Sequence, residues 1–279
     1  MIKLLGKTVA DDILGRLKSD ISLAKKKPGL AVILVGNDKA SQLYVKLKEK
    51  TARSIGMNFF RFNLAESVSQ QEIIKLIGDL NIDSKVNGII VQLPLPKGFD
   101  AQKVISSIDP KKDADGFSAQ SGSALGGNLK LFPVFPKAII KLIESSGQNF
   151  FGKKAVVIAN SELFGETMSE MLKRENIASG YILTRDVPSN LGVIKAADIV
   201  VSAVGSPGLL MGEMFKDGAI IIDGGIEKIG EKVLGDVDFG STEQLSGFIT
   251  PVPGGVGPVT IACLLENTFL AFEAQQKEK

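Results

Sequence analysis

The chain has 279 residues, enough for two domains of ordinary size or one large α/β unit. Hydrophobic content of 44%, charged content of 23% and a net charge of +2 describe a globular protein with real cores, and they leave no electrostatic footprint for nucleic acid. One cysteine, Cys263, excludes an internal disulfide, and the absence of histidine excludes histidine-based triads and the common zinc sites. Acid–base work therefore falls to lysine, carboxylate, tyrosine or bound water, and no metal is expected. No apolar signal core opens the chain and no stretch approaches the length of a membrane span, so a cytoplasmic protein without a membrane partner is expected.

Helical and strand signals alternate almost throughout, which predicts α/β architecture with largely parallel sheets. Val9 to Leu23 has apolar residues at helical spacing, and Leu30 to Val35 is a short apolar strand. Ala40 to Ile55 reads as a helix ended by Gly56, and Met57 to Leu64 as a strand. Ser69-Gln70-Gln71-Glu72 is a capping box for a helix reaching Leu80. Gly88 to Gln92 is a buried strand stopped by Leu93-Pro94-Leu95-Pro96. This first set runs to about Leu131. A helix from Lys137 to Ser145, preceded by Pro133-Val134-Phe135-Pro136, reads as an interdomain strut.

A second set follows: strand Lys154 to Ile158, helix Gly165 to Asn176, and strands Gly180 to Leu183, Asp198 to Val204 and Ala219 to Asp223. Thr250 to Thr260 (Thr-Pro-Val-Pro-Gly-Gly-Val-Gly-Pro-Val-Thr) is too rich in proline and glycine for an ordinary strand or helix. Its main chain is suited either to close approach to a flat or anionic ligand or to a tight structural connection. Pro258 then suits the first turn of a final helix, to about Gln275, returning to the first domain. The expected division is residues 1–136 with 259–279 as one domain, and 137–258 as a Rossmann-like second domain.

Tyr44 and Lys48 are four residues apart and share a helix face. With an apolar stripe read as Ala40, Leu43, Leu47, Thr51 and Ile55, both sit on its margin, where partial desolvation would loosen the lysine's proton. The same spacing also describes an ordinary surface pair. Gln92 closes a strand at its carboxyl end, where open α/β sheets bind ligands, and its amide would meet either a lysine ammonium or backbone groups of the Leu-Pro turn. Asp113-Ala114-Asp115-Gly116 places carboxylates in a turn, as turn chemistry alone would, or for a substrate's paired N–H donors. Val156 to Gly165 has the strand–turn–helix order of a dinucleotide loop without the G-x-G-x-x-G pattern. Ala203-Val204-Gly205-Ser206-Pro207 and Asp223-Gly224-Gly225-Ile226 are further strand-end turns that fit a cofactor crevice.

In order, these segments resemble the bifunctional methylenetetrahydrofolate dehydrogenase/cyclohydrolase family. The resemblance rests on Ser41 with Tyr44-Val45 and Lys48, Val91 to Pro96, Asp113 to Phe117, Ala197 to Val200, Gly235-Asp236-Val237 and Ile249 to Pro258. It implies two α/β domains around a cleft and a cytoplasmic homodimer serving one-carbon metabolism and purine biosynthesis. It also implies Lys48 as the catalytic lysine, Tyr44 stacking on folate, Gln92 positioning Lys48, and Asp115 taking the pterin's donors. Ser41, Leu93, Pro94, Pro251, Gly254 and Gly255 would complete the tetrahydrofolate site. Ala159, Asn160, Ser161, Gly165, Arg185, Asp186, Val204, Gly205 and Ile226 would hold the dinucleotide. NADP is the cofactor the resemblance implies. Ala159-Asn160-Ser161 stands where the family usually has Gly-Arg-Ser or Gly-Ala-Ser, and Asp186 could favour NAD while Arg185 argues the reverse. The alternatives are a monofunctional cyclohydrolase with a decayed dinucleotide site and a non-catalytic folate-binding protein.

Overall fold

The computed structural model describes residues 1–117 and 131–277. Residues 118–130, inside the expected first domain, and 278–279, at the end of its C-terminal helix, lie outside the described residues. The chain forms two compact units, Asp12–Val134 with Ile261–Lys279, and Met1–Asp11 with Phe135–Thr260.

The first unit is built on three parallel strands in the order β3-β2-β4, with β2 at Gly29–Val35, β3 at Asn58–Leu64 and β4 at Gly88–Val91. Every residue of β2 and β4 is buried, as expected where both faces of a parallel sheet are covered. Ala31, Ile33, Val35, Ile89 and Val91 pack with Ile73, Ile77 and Leu80 of helix α3, Gln70–Ile82, whose expected capping box is present. Helix α1 is Gly6–Leu23, α2 is Lys39–Ser54 and a short α4 is Ala101–Ile105. Lys112 Nζ donates to Leu80 O at 2.9 Å and Asp83 O at 2.8 Å, pinning the next loop to the end of α3. That loop then runs beside β4: Ile89 N donates to Lys112 O and Asp113 bridges Ile89 in parallel.

In the second unit six parallel strands are ordered β1-β11-β8-β7-β5-β6. They are β1 Ile2–Lys3, β5 Lys154–Ala159, β6 Ala178–Leu183, β7 Ile199–Ala203, β8 Ile220–Asp223 and β11 Phe248–Ile249. A separate antiparallel hairpin pairs β9, Glu227–Ile229, with β10, Lys232–Leu234. The first residues, expected in the first domain, belong here instead, because β1 adds an edge strand by pairing with β11. Two residues of strand carry too little periodicity to be seen in a sequence.

Helix α5, Val134–Ser145, begins three residues before the expected Lys137, with Pro136 tolerated in its first turn. Helix α6, Glu162–Arg174, also begins three residues early, because Ser161 is its N-cap and accepts from Phe164 N. Helix α7 is the short Leu191–Ala196 and α8 is Val256–Lys277.

Helix α8 corrects one expectation. It is long and apolar enough to cross a membrane by length and composition alone, yet 67% of its apolar window is buried inside the protein, as in a core helix. Within the first unit, Asn267 Nδ2 donates to Ala114 O and Phe132 O at 3.0 and 2.8 Å, and Gln275 meets Asn87. A Cβ on Gly88 of β4 would lie 2.9 Å from Thr268 Oγ1 and 3.0 Å from Ala114 Cβ. Gly88→Ala should therefore cost about 1–3 kcal/mol by overpacking. In urea unfolding, adding Thr268→Ala should recover part of that loss, and strict additivity of the two changes would show that the strand and helix do not press together there.

Candidate active site

Helix α2 carries the amine. Its buried face runs through Ser41, Val45, Ala52 and the following Ile55, with Lys48 half-buried on the same line. The expected stripe is corrected here, since Leu43 and Leu47 are exposed. The spacing 41, 45, 48, 52, 55 closes more evenly on a helical period, and it places Lys48 within the core-facing stripe rather than at its margin. Tyr44 lies one turn earlier on the exposed side. The helix start is fixed by Asp38, which accepts from Ser41 N at 2.7 Å.

The strand end supplies the partner. Gln92 N donates to Ile33 O at 2.8 Å, continuing the ladder one residue past β4. Gln92 Nε2 donates to Leu93 O at 2.7 Å, and Gln92 Oε1 accepts from Lys48 Nζ at 2.9 Å. The two expected partners of this amide are thus both present. The backbone bond also explains the amide's orientation, because it turns the oxygen toward the ammonium. Pro94 follows Leu93 through a cis peptide bond.

Asp115 arrives from the loop bridged to Ile89, two residues beyond the bridging Asp113. Burial pushes its carboxyl up to about 6, opposed by the charge of Lys48 and reinforced by that of Asp113. Burial lowers the Lys48 ammonium from its ordinary value, and the charge of Asp115 partly restores it. Lys48, Gln92 and Asp115 therefore form one electrostatic cluster, with Ser41, Tyr44, Leu93 and Pro94 on the elements that carry it. An amine whose proton is loosened gives it up more readily than an exposed lysine would.

Pro251, Gly254 and Gly255 belong to the other unit. There Gly254 has φ +105°, its carbonyl accepts from Gly6 N at 2.9 Å, and a Cβ on Gly255 would meet Thr250 Cβ at 2.8 Å. The loop is a close-packed turn that leads into α8 at Val256, two residues before Pro258.

In the six-stranded sheet the chain places β6 on one side of β5 and β7 on the other, so β5 and β7 flank the topological switch point. Ligands of such sheets bind beyond the carboxyl ends at this point. Ala159 ends β5 opposite Ala203 of β7, and Asn160 Nδ2 donates to Val204 O at 3.3 Å, joining the two strand ends. Ser161 caps α6, and Gly205 has φ +79°. Gly165 is placed by packing, for a Cβ there would lie 2.6 Å from the Tyr181 ring. Arg185 and Asp186 sit after β6 as an exposed ion pair at 3.8 Å, and Ile226 is exposed after β8. A separate cavity of about 360 Å³, lined by Pro207, Asp223, Gly235, Val237, Phe239 and Val252 among others, includes none of the expected cofactor residues.

Two residues that the sequence places in strand-end or family motifs, but to which it gives no role of their own, are fully enclosed at these strand ends, Asp223 (3% exposed) and Asp236 (0%). The available signal was the glycine beside each, in Asp223-Gly224-Gly225 and Gly235-Asp236.

A two-unit α/β enzyme with a parallel switch-point sheet and a lysine–amide–carboxylate cluster is the class these features define. Residues 4–115 match the catalytic domain of tetrahydrofolate dehydrogenase/cyclohydrolase, and residues 133–276 match its NAD(P)-binding domain. The chain is 43% identical to the bifunctional protein FolD of Acetivibrio thermocellus, over 98% of both chains. The crystal structure of the Trypanosoma brucei methylenetetrahydrofolate dehydrogenase-cyclohydrolase, complexed with NADP and an inhibitor, aligns over 99% of both chains with a TM-score of 0.92 and 33% identity. The corresponding Campylobacter jejuni enzyme aligns over 99% of both chains with the same TM-score and 37% identity.

The chain belongs to the tetrahydrofolate dehydrogenase/cyclohydrolase family. It is a bifunctional enzyme of one-carbon folate metabolism, carrying both activities and a nicotinamide dinucleotide-binding domain.

The coupling at the cluster has a defined sign. Lys48→Met removes the charge that lowers Asp115, so the Asp115 carboxyl should titrate above about 6 when followed by carboxyl carbon NMR. An unchanged or lower titration point would show that the two groups do not sense each other.

Proposed function

We propose that Lys48 is the proton-transferring residue when the methenyl group is hydrolysed to 10-formyltetrahydrofolate, with Gln92 holding its amine in place. The carrying observation is the 2.9 Å bond from a half-buried ammonium to an amide that the neighbouring backbone orients. Asp115 meets the pterin's N–H donors and Tyr44 offers its ring for stacking. Ser41, Leu93, Pro94, Pro251, Gly254 and Gly255 are further substrate contacts. In the oxidation of 5,10-methylenetetrahydrofolate, the substrate's own nitrogen lone pairs expel hydride, so the protein need only align the reacting carbon and needs no strong base. Bound dinucleotide supplies the hydride acceptor. A chain without histidine can carry both steps, and the chemistry proposed requires no metal.

For the dinucleotide, the proposed contacts are Ala159, Asn160, Ser161, Gly165, Arg185, Asp186, Val204, Gly205 and Ile226. NADP is the proposed cofactor. The Arg185–Asp186 pair is exposed, and exposed pairs contribute about 0–1 kcal/mol, so Arg185 can turn to a 2′-phosphate at little cost. The T. brucei relative's complex with NADP supports the same reading. Asp186 keeps NAD as the second reading, because a carboxylate there would accept a ribose hydroxyl and repel a phosphate. A cytoplasmic homodimer, supplying one-carbon units to purine synthesis, completes the proposal on family grounds.

Three measurements test it. Methylenetetrahydrofolate supplied with NADP or NAD, with reduced cofactor and methenyl absorbance followed together, should show preference for NADP, and Arg185→Ala should narrow that preference. A preference for NAD would transfer the assignment to Asp186. Lys48→Met should reduce methenyltetrahydrofolate hydrolysis by at least about a hundredfold, the scale of a general acid–base contribution, while folate still binds. Retained hydrolysis would remove Lys48 from its role. Sedimentation equilibrium should give twice the chain mass.

A further inference from the structure

Asp236 is enclosed among hydrogen-bond donors. Its Oδ2 accepts from Ser202 Oγ at 2.6 Å and Val204 N at 2.8 Å, while Oδ1 accepts from Gly205 N at 2.8 Å and Ser206 N at 2.7 Å. Three successive amides after β7, with Gly205 left-handed between them, make a concavity of the kind that binds anions. Here the anion is the protein's own side chain.

A second carboxylate sets the first. Asp223, at the end of β8, accepts from Asp236 N at 3.0 Å, Val237 N at 2.9 Å and Gly225 N at 3.0 Å. Each carboxylate is admitted by a missing side chain. A Cβ on Gly225 would lie 2.2 Å from Asp236 Oδ1, and one on Gly235 would lie 2.1 Å from Asp223 Oδ2. The backbone of the 236–238 segment is held as well, since Leu210 N donates to Asp236 O and Asp238 N donates to Leu210 O.

We propose that Asp236 is a positioning residue for the dinucleotide, holding the Val204–Ser206 turn as a preformed wall at the β5/β7 switch point, with Asp223 fixing Asp236 in turn. The proposal rests on the reading that Asn160, Val204, Gly205 and Ile226 contact the cofactor. The same arrangement assigns a polarity to that wall. The amides of residues 204–206 point inward at Asp236, so they do not bind the cofactor's pyrophosphate.

Asparagine is the discriminating substitution. All four partners of Asp236 are donors, so an amide nitrogen must face at least one backbone N–H however it is turned. In the full-length enzyme, Asp236→Asn should raise KM for NADP by about tenfold or more, with kcat at saturating NADP and methenyltetrahydrofolate hydrolysis both within about threefold of the parent. Ser202→Ala, which removes one donor without adding volume, should raise the same KM about two- to fivefold. Ile226→Asp, measured alongside, checks the cofactor reading. If it leaves KM for NADP unchanged, that reading fails and the inference fails with it. If Ile226→Asp weakens NADP but Asp236→Asn stays within twofold in KM while its melting temperature falls, Asp236 is only structural and the inference alone is overturned. Should Asp236→Asn fail to fold, Ser202→Ala decides by the same criterion, and an unchanged KM for NADP overturns the proposal.

Discussion

A lysine on the core-facing line of a helix has to be solvated by the protein, because water reaches it only in part. An ammonium placed this way costs free energy unless oxygen acceptors surround it or its proton is given up. Much of the first unit's local design follows from that constraint. The residue just past strand β4, Gln92, has a side-chain oxygen that reaches across to α2, and the next carbonyl, Leu93 O, takes the amide's nitrogen so that the oxygen has to face the amine. The 109–116 loop is drawn along β4 by Lys112 and the Ile89–Asp113 bridge, which brings the charge of Asp115 to bear on Lys48. Helix α8 supports that loop by bonding Ala114 O through Asn267. Neither member of the pair is at its ordinary protonation balance, and each moderates the other.

The second unit solves a different problem. Parallel strands leave their terminal amides and carbonyls pointing past the sheet, and the crevice at a switch point is useful only if the turns around it are rigid. Binding energy spent on ordering loose turns is lost to affinity. Here the turn after β7 is ordered before any ligand arrives, by a carboxylate from 30 residues further along the chain. The same logic explains why glycines flank both aspartates. Conformational freedom is not needed at Gly225 or Gly235, neither of which has a left-handed φ, but the space of a Cβ is.

The main architecture was legible because long apolar runs, caps and proline stops state it locally. The capping box at Ser69, the stop after Gln92 and the strands β2, β4, β5, β7 and β8 are of this kind. What was not legible depends on neighbours distant in sequence. β1 exists only because β11 lies beside it, and the short helices α4 and α7 are below the length at which periodicity speaks. The core-facing stripe on α2 does not follow hydrophobicity: Leu43 and Leu47 are exposed, while Ser41 and Lys48 take core-facing positions. A functional site is where such a breach of pattern is to be expected. The α2–β4 cluster could be anticipated as possible contacts, whereas the Asp223–Asp236 arrangement required the fold, since turn-forming glycine–aspartate pairs look alike whether exposed or enclosed.

The charge arithmetic of the lysine cluster also bears on the substrate. On the proposal that Lys48 acts on the methenyl group, that group is a delocalised cation, and a permanently charged ammonium beside it would repel the species to be hydrolysed. With Asp115 ionised, a protonated Lys48 gives the pair no net charge; with Lys48 deprotonated, the pair is negative. Either state receives a cation better than an isolated, fully solvated lysine would. Burial that loosens the amine's proton therefore serves two requirements at once, since it eases proton transfer and weakens the hold on the positive charge that would face the cation. Histidine could meet the first requirement. A lysine tied to a carboxylate and an amide also keeps a long, mobile side chain in one place, and Gln92, being neutral, can accept the ammonium's hydrogen bond without holding its proton as firmly as a second carboxylate would.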